Sequence, residues 1–190
     1  PTSEELALMD WWMDHNHCFD CIAGTLDKSV KIQQLLEGLE EDTSPRALMA
    51  KDLQPVPKDW IAQLNNSNIA TYPLAEGNPL LDVSLYGRKD LSRKEFKALK
   101  KYAKHVVALN LGNSNFNDSL SESLKSFKNL TKLQLQKTAI TDKTVDRLKK
   151  LEHLESLNLY GDSISNQALA AMEQLPNLKT VYLWQTNISQ

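Results

Sequence analysis

Two imidazoles and two thiols fall within seven residues in His15-Asn-His17-Cys18-Phe-Asp-Cys21. Donors of these types can build a tetrahedral Cys₂His₂ zinc site. The spacing sits awkwardly with that, because His17 and Cys18 are adjacent and zinc ligands usually come from two separated elements. A c-type haem attachment needs C-x-x-C-H, and Ile22 stands where the axial histidine would be. Cys18 and Cys21 could instead close a small disulfide loop in an oxidising compartment. The plainest reading is a polar loop after a helix with two incidental cysteines; disulfide and metal stay open beside it. His105 and His153 are lone histidines at helix ends and read as structural. No Ser/His/Asp order, glycine-rich phosphate loop or carboxylate pair suggests catalysis, so no enzyme activity and no cofactor is expected.

The elements around that cluster are helical. Ser3 caps a helix over residues 3 to 14, with Glu4 and Glu5 in its first turn and apolar residues on nearly every side. A second spans about Asp27 to Leu39, and Thr43-Ser44-Pro45 breaks the chain. A third covers Arg46 to Leu53, and Pro55 and Pro57 end it. Lys58 to Leu64 is helical again, Ile69 to Leu74 reads as a strand, and Glu76-Gly-Asn-Pro79 as a turn. These signals divide the chain into a helical segment, 1–53, and a second unit, 54–190, whose first part (54–78) is expected to cap the remainder.

That remainder is a repeat. Leu109/Leu111, Leu133/Leu135, Leu157/Leu159 and Val181/Leu183 recur every 24 residues, and Phe116, Ile140, Ile164 and Ile188 come five residues after each pair. Alternation such as Leu133-Gln134-Leu135 marks a short strand with one buried face. Ser114, Thr138, Asp162 and Thr186 stand where the chain leaves each strand, where short polar side chains can bond turn backbone. Helical spacing comes next, as in Val145, Leu148, Leu151 and Leu154, with Asp142, Ser165 and Asp118 or Ser119 expected as N-caps. A looser copy begins at Val83, and its step of 26 residues to Leu109 implies a small insertion. A fixed period in the twenties with this pattern predicts an α/β leucine-rich repeat solenoid of about 4.5 units. Parallel strands would line its concave face and helices its convex face.

The concave face is the expected working surface. Its candidate partner-binding residues are Tyr86, Asn110, Gln134, Gln136, Asn158, Tyr160, Tyr182 and Trp184, with Ser84 and Gly112 between them and Asn113, Lys137, Gly161 and Gln185 on the rim. Aromatic rings and amides suit a protein or carbohydrate-like partner. Net charge is −2 over 190 residues, and no Lys/Arg stripe dominates a face, which argues against nucleic acid. The run Lys94 to Lys104 reads as a solvated helix face with Phe96, Leu99 and Tyr102 inward. No apolar run is long enough to span a membrane. Because the chain opens on Pro1 and ends just after the last strand, it is read as an excised piece whose final edge is either continued or covered.

Leu157-Asn-Leu-Tyr-Gly161, Leu178-Lys-Thr-Val-Tyr-Leu-Trp-Gln-Thr186 and Asn78-Pro-Leu-Leu-Asp-Val-Ser84 resemble the ribonuclease-inhibitor-like repeat region of a group of bacterial membrane-anchored proteins. In that group a planctomycete-type c-type cytochrome domain precedes the repeats. Leu8-Met-Asp-Trp-Trp-Met13 with Phe19-Asp20 is similar to the closing helix of the haem domain. His15-Asn-His17-Cys18 departs from it, standing where Glu-Gly-Ala-Ser is typical. The resemblance implies an extracytoplasmic location, tethered through upstream sequence, and no catalytic role on these residues; with the concave face, the expected function is a non-enzymatic protein-binding module. The alternative is a redox or metal module, zinc- or haem-associated, centred on His15, His17, Cys18 and Cys21, with the solenoid as scaffold.

Overall fold

The computed structural model describes residues 44–189. The predicted helices at 3–14 and 27–39, and the cluster His15, His17, Cys18 and Cys21, lie outside them. Ser44 accepts a hydrogen bond from Ala47 N and starts α1 (Pro45–Ala50), with proline in the first turn where no amide is needed. Pro57 precedes α2 (Lys58–Asn66). Asn65 then clamps the next strand, accepting from Thr71 N at 2.7 Å and donating to Thr71 O at 3.3 Å.

Six strands form one mixed sheet in sequence order: β1 (Ala70–Pro73), β2 (Leu81–Ser84), β3 (Val106–Asn110), β4 (Lys132–Gln134), β5 (Ser156–Asn158) and β6 (Thr180–Tyr182). β1 is antiparallel to β2, and every later pair is parallel. Leu109 faces Leu133, Leu133 faces Leu157 and Leu157 faces Val181, so the period in the sequence is the pairing register. The 26-residue first step is the register of Asp82 with Ala108, Val83 with Leu109 and Ser84 with Asn110, and an irregularity between Leu81 and Asp82 leaves Val107 of β3 as the extra residue.

Crossovers return the chain on the other side of the sheet. α3 (Arg93–Leu99) starts with a capping box, in which Ser92 and Glu95 satisfy each other's backbone amides, and runs into a 3₁₀ segment, Lys100–His105. α4 (Asp142–Leu148) comes after β4, and a 3₁₀ turn at Asn166–Ala168 leads into α5 (Leu169–Met172). The crossover after β3 holds only a 3₁₀ segment, Ser121–Ser126, instead of an α-helix. Its three serines bond nearby backbone readily and lower helix propensity, which favours the tighter, shorter form.

Between the two layers, Leu109, Leu111, Leu133, Leu135, Leu157 and Leu159 are at most 1% exposed, and each such side chain contributes about 2 kcal/mol by leaving water. Phe116, Ile140 and Ile164 form a second buried row, and Phe96 packs on Phe116 with ring centroids 5.7 Å apart. In the last copy Val181, Leu183 and Ile188 are only half-buried, because β6 has a neighbour on one side only among the described residues.

Candidate functional site

Residues alternating with the buried leucines share the solvent face of the sheet. Tyr86, Asn110, Gln134, Gln136, Asn158, Tyr160, Tyr182 and Trp184 all lie there, and they divide sharply by exposure. Trp184 is 81% exposed, Tyr86 56% and Tyr182 52%, whereas the amides and Tyr160 are half-buried. With Tyr72 of β1, 62% exposed and paired with the outward Asp82, four rings stand in water on one sheet face and need a reason, since burying such a ring is favourable.

Local bonds hold the polar residues. Asn110 Oδ1 accepts from Gly112 N, and Asn158 Oδ1 from Tyr160 N, each at 3.0 Å. Ser84 Oγ does the same for Tyr86 N at 3.4 Å. A backbone amide can only donate, so the asparagine oxygens are fixed toward the strand and the Nδ2 groups are left to face outward. Gly112, expected on the open face, is buried beneath the Gln136 side chain. A Cβ there would stand 2.5 Å from Gln136 Cδ, so glycine lets the amide lie flat across β3.

The rim is formed by residues in the left-handed backbone region. Asn113, Lys137 and Gln185 have φ of 53°, 54° and 57°, and Gly161 has 72°. Lys137 Nζ sits 5.2 Å from the Tyr160 ring centroid, a cation–π distance. Lys89 reaches in from the preceding unit and donates to Asn113 O at 2.6 Å.

Two carboxylates behind the rim have opposite environments. Asp162 Oδ1 accepts from Thr138 N at 2.7 Å and Thr138 Oγ1 at 3.2 Å, while its buried Oδ2 has no hydrogen-bond partner. Burial pushes its pKa up to about 7 against the pull of those two bonds. Asp118 is also raised by burial, but hydrogen bonds from Thr144 and Thr141 and the Arg147 charge outweigh this and hold it below the usual range. Neither Asp118 nor Ser119 caps the segment beginning at Ser121, and Asp142 is not the cap of α4: Thr141 is. Asp142 instead accepts from Ser165 N at 2.8 Å and from Ser165 Oγ, as Asp118 does from Thr141 and Asn166 from Ser189 N. Asp118, Asp142 and Asn166 are themselves 24 residues apart, so comparing that column of the repeat would have disclosed the ladder.

His105 Nε2 lies 3.2 Å from Gln54 O, and its ring meets Tyr102 edge-on, which in turn packs on Trp60. His153 is exposed, beside a recess lined by Leu48, Met49, Leu53, Lys104 and Lys128. No helix among the described residues is long and apolar enough to cross a membrane.

No protein-family model matches the chain, and no curated protein does. Among solved structures it is similar to an internalin from Listeria monocytogenes, at 24% identity over 54% of this chain with a TM-score of 0.44. The match spans 27% of the internalin's length. It is also similar to the leucine-rich repeat ectodomain of a receptor kinase from Arabidopsis thaliana, at 13% identity over 77% of this chain and 96% of that one, TM-score 0.36. Both neighbours are leucine-rich repeat proteins.

Proposed function

We propose that this chain is a non-enzymatic recognition module, a short leucine-rich repeat solenoid that binds a protein through the concave face of its sheet. The observation that carries the reading is the exposure of Tyr86, Tyr182 and Trp184 on a face where Asn110 and Asn158 are anchored to their own strands. Rigid aromatic rings supply contact area at small entropic cost, and fixed amides supply direction. Residues 54–78 act as the cap of the stack in this reading, supported by the antiparallel β1 and the Asn65 clamp. The extracytoplasmic setting and the tether to a haem-bearing protein are part of the same proposal, and the resemblance of the repeat phrases supports them. The test is a pull-down from envelope extracts with wild-type protein and with Tyr160→Ala/Trp184→Ala. The double variant is expected to keep its circular dichroism spectrum and to lose the partner. Retention of the partner would move the binding surface elsewhere.

A further inference from the structure

We infer that the open face takes an extended, acidic segment of its protein partner. The inference rests on the reading that this face is the binding site and adds which chemistry it selects.

Acidic residues outnumber basic ones in the chain, 24 to 22, yet none of the outward positions from β3 to β6 is acidic. Lys132 is one of those positions, exposed on β4, and Lys137 stands exposed where that strand ends. Asp82 on β2 is the exposed acid of the sheet face, at its far side from Trp184. The amides add to this bias. With Oδ1 of Asn110 and Asn158 committed to Gly112 N and Tyr160 N, each residue offers donors through an Nδ2 that bonds nothing else among the described residues. Fixed donors and ammonium groups recognise acceptors: backbone carbonyls and carboxylates. The donors of β3 and β5 lie in one row across the strands, which a chain running across the sheet can track, ending against Tyr182 and Trp184.

Lys137 supports the assignment independently. At φ 54° it holds a conformation that Gly161 supplies without strain in the next copy, and a non-glycine residue there costs about 1 kcal/mol. Asn113 and Gln185 hold the same conformation in their copies, so what is particular to Lys137 is its ammonium, 5.2 Å from the Tyr160 ring centroid on the face in question.

The experiment is selection of random linear peptides on the immobilised chain, with an array of neutral glycans probed in parallel. Selected peptides are expected to carry Asp and Glu in excess over Lys and Arg, and the best synthetic peptide should bind at least about tenfold more weakly at high salt. Asn158→Asp keeps the acceptor for Tyr160 N but turns the outward donor into a carboxylate. It should leave the melting temperature unchanged and weaken that peptide about tenfold or more. Lys137→Gly should bind more weakly with little change in melting temperature, the relief of the left-handed backbone being offset by the lost cation–π contact with Tyr160. Neutral or basic peptides, an absence of selected peptides, binding of glycans alone, or an Asn158→Asp variant of undiminished affinity would each overturn the inference. If Tyr160→Ala/Trp184→Ala abolishes peptide binding while Asn158→Asp does not, the face is right and its acidic partner wrong. If neither variant matters, the binding face itself falls.

Discussion

At the strand exits one position holds Ser114, Thr138, Asp162 and Thr186 in successive units, and only one of these can carry a charge. Ser114 Oγ donates to Leu111 O at 2.6 Å and Thr186 Oγ1 to Leu183 O at 2.7 Å. An ionised Asp162 can donate nothing, and its Oδ2 is buried without a partner, so the proton is held until about pH 7. That sets the direction of linkage. Between an unfolded value near 3.8 and about 7 the folded chain binds the extra proton, so this group's stabilisation is complete below the lower value and lost as pH rises through the upper one. At ~1.4 kcal/mol per tenfold, the upper bound of the effect is about 4 kcal/mol, and residual solvation reduces it. Asp162→Asn can accept from Thr138 at every pH and has its own N–H to offer. Urea midpoints at pH 5 and pH 8 should therefore fall for wild type relative to this variant, with the gap largest at pH 8. A gap that does not change with pH would mean that the folded-state Asp162 does not change its protonation between pH 5 and pH 8 in excess of the unfolded chain.

Among the elements, the crossovers were harder to read in the sequence than the strands, for a physical reason. Strand register comes from spacing alone: leucines 24 residues apart pair, and Val83 pairs with Leu109 across the 26-residue step. An acidic residue near a helix start satisfies two rules at once, and the local one predicts a cap. Asp118 and Asp142 obey the non-local alternative, accepting the cap residue's own amide from the next unit. Thr141 and Ser165 can then cap with their hydroxyl oxygens while donating across the rung. Asp142→Ala should cost about 1–3 kcal/mol by stranding Ser165 N, and Asp118→Ala more, because Thr144 Oγ1 and Arg147 lose a partner too. Hydrogen exchange resolves this from a general loosening: protection should fall first at the amide of Ser165 or of Thr141, respectively. Asp118 has the opposite pH sign to Asp162. Its stabilisation is present above the unfolded value and lost on acidification.

Over the whole molecule, the candidate site was legible as a set of positions and illegible as a surface. Alternation places Asn110, Asn158 and Trp184 outward, but whether an amide is bonded to its own strand, or a glycine is covered by Gln136, depends on side-chain geometry that spacing does not encode. The same holds for the degree of burial along the leucine ladder, which is a property of how many neighbours each rung has. In a stack whose stability is a sum of unit and nearest-neighbour terms, an interior rung loses contacts on both sides when truncated and a terminal rung on one. Leu135 and Leu159 are fully buried, while Leu183 is half-buried just after β6. Leu135→Ala and Leu159→Ala should each cost about 3–5 kcal/mol, and Leu183→Ala about 1 kcal/mol by the smaller area it removes from water. The measurement is the denaturation midpoint of each purified variant, with the transition slope checked for loss of cooperativity. Equal losses at all three positions would mean that Leu183 is packed as tightly as the inner leucines, and that β6 is not the open end of the sheet.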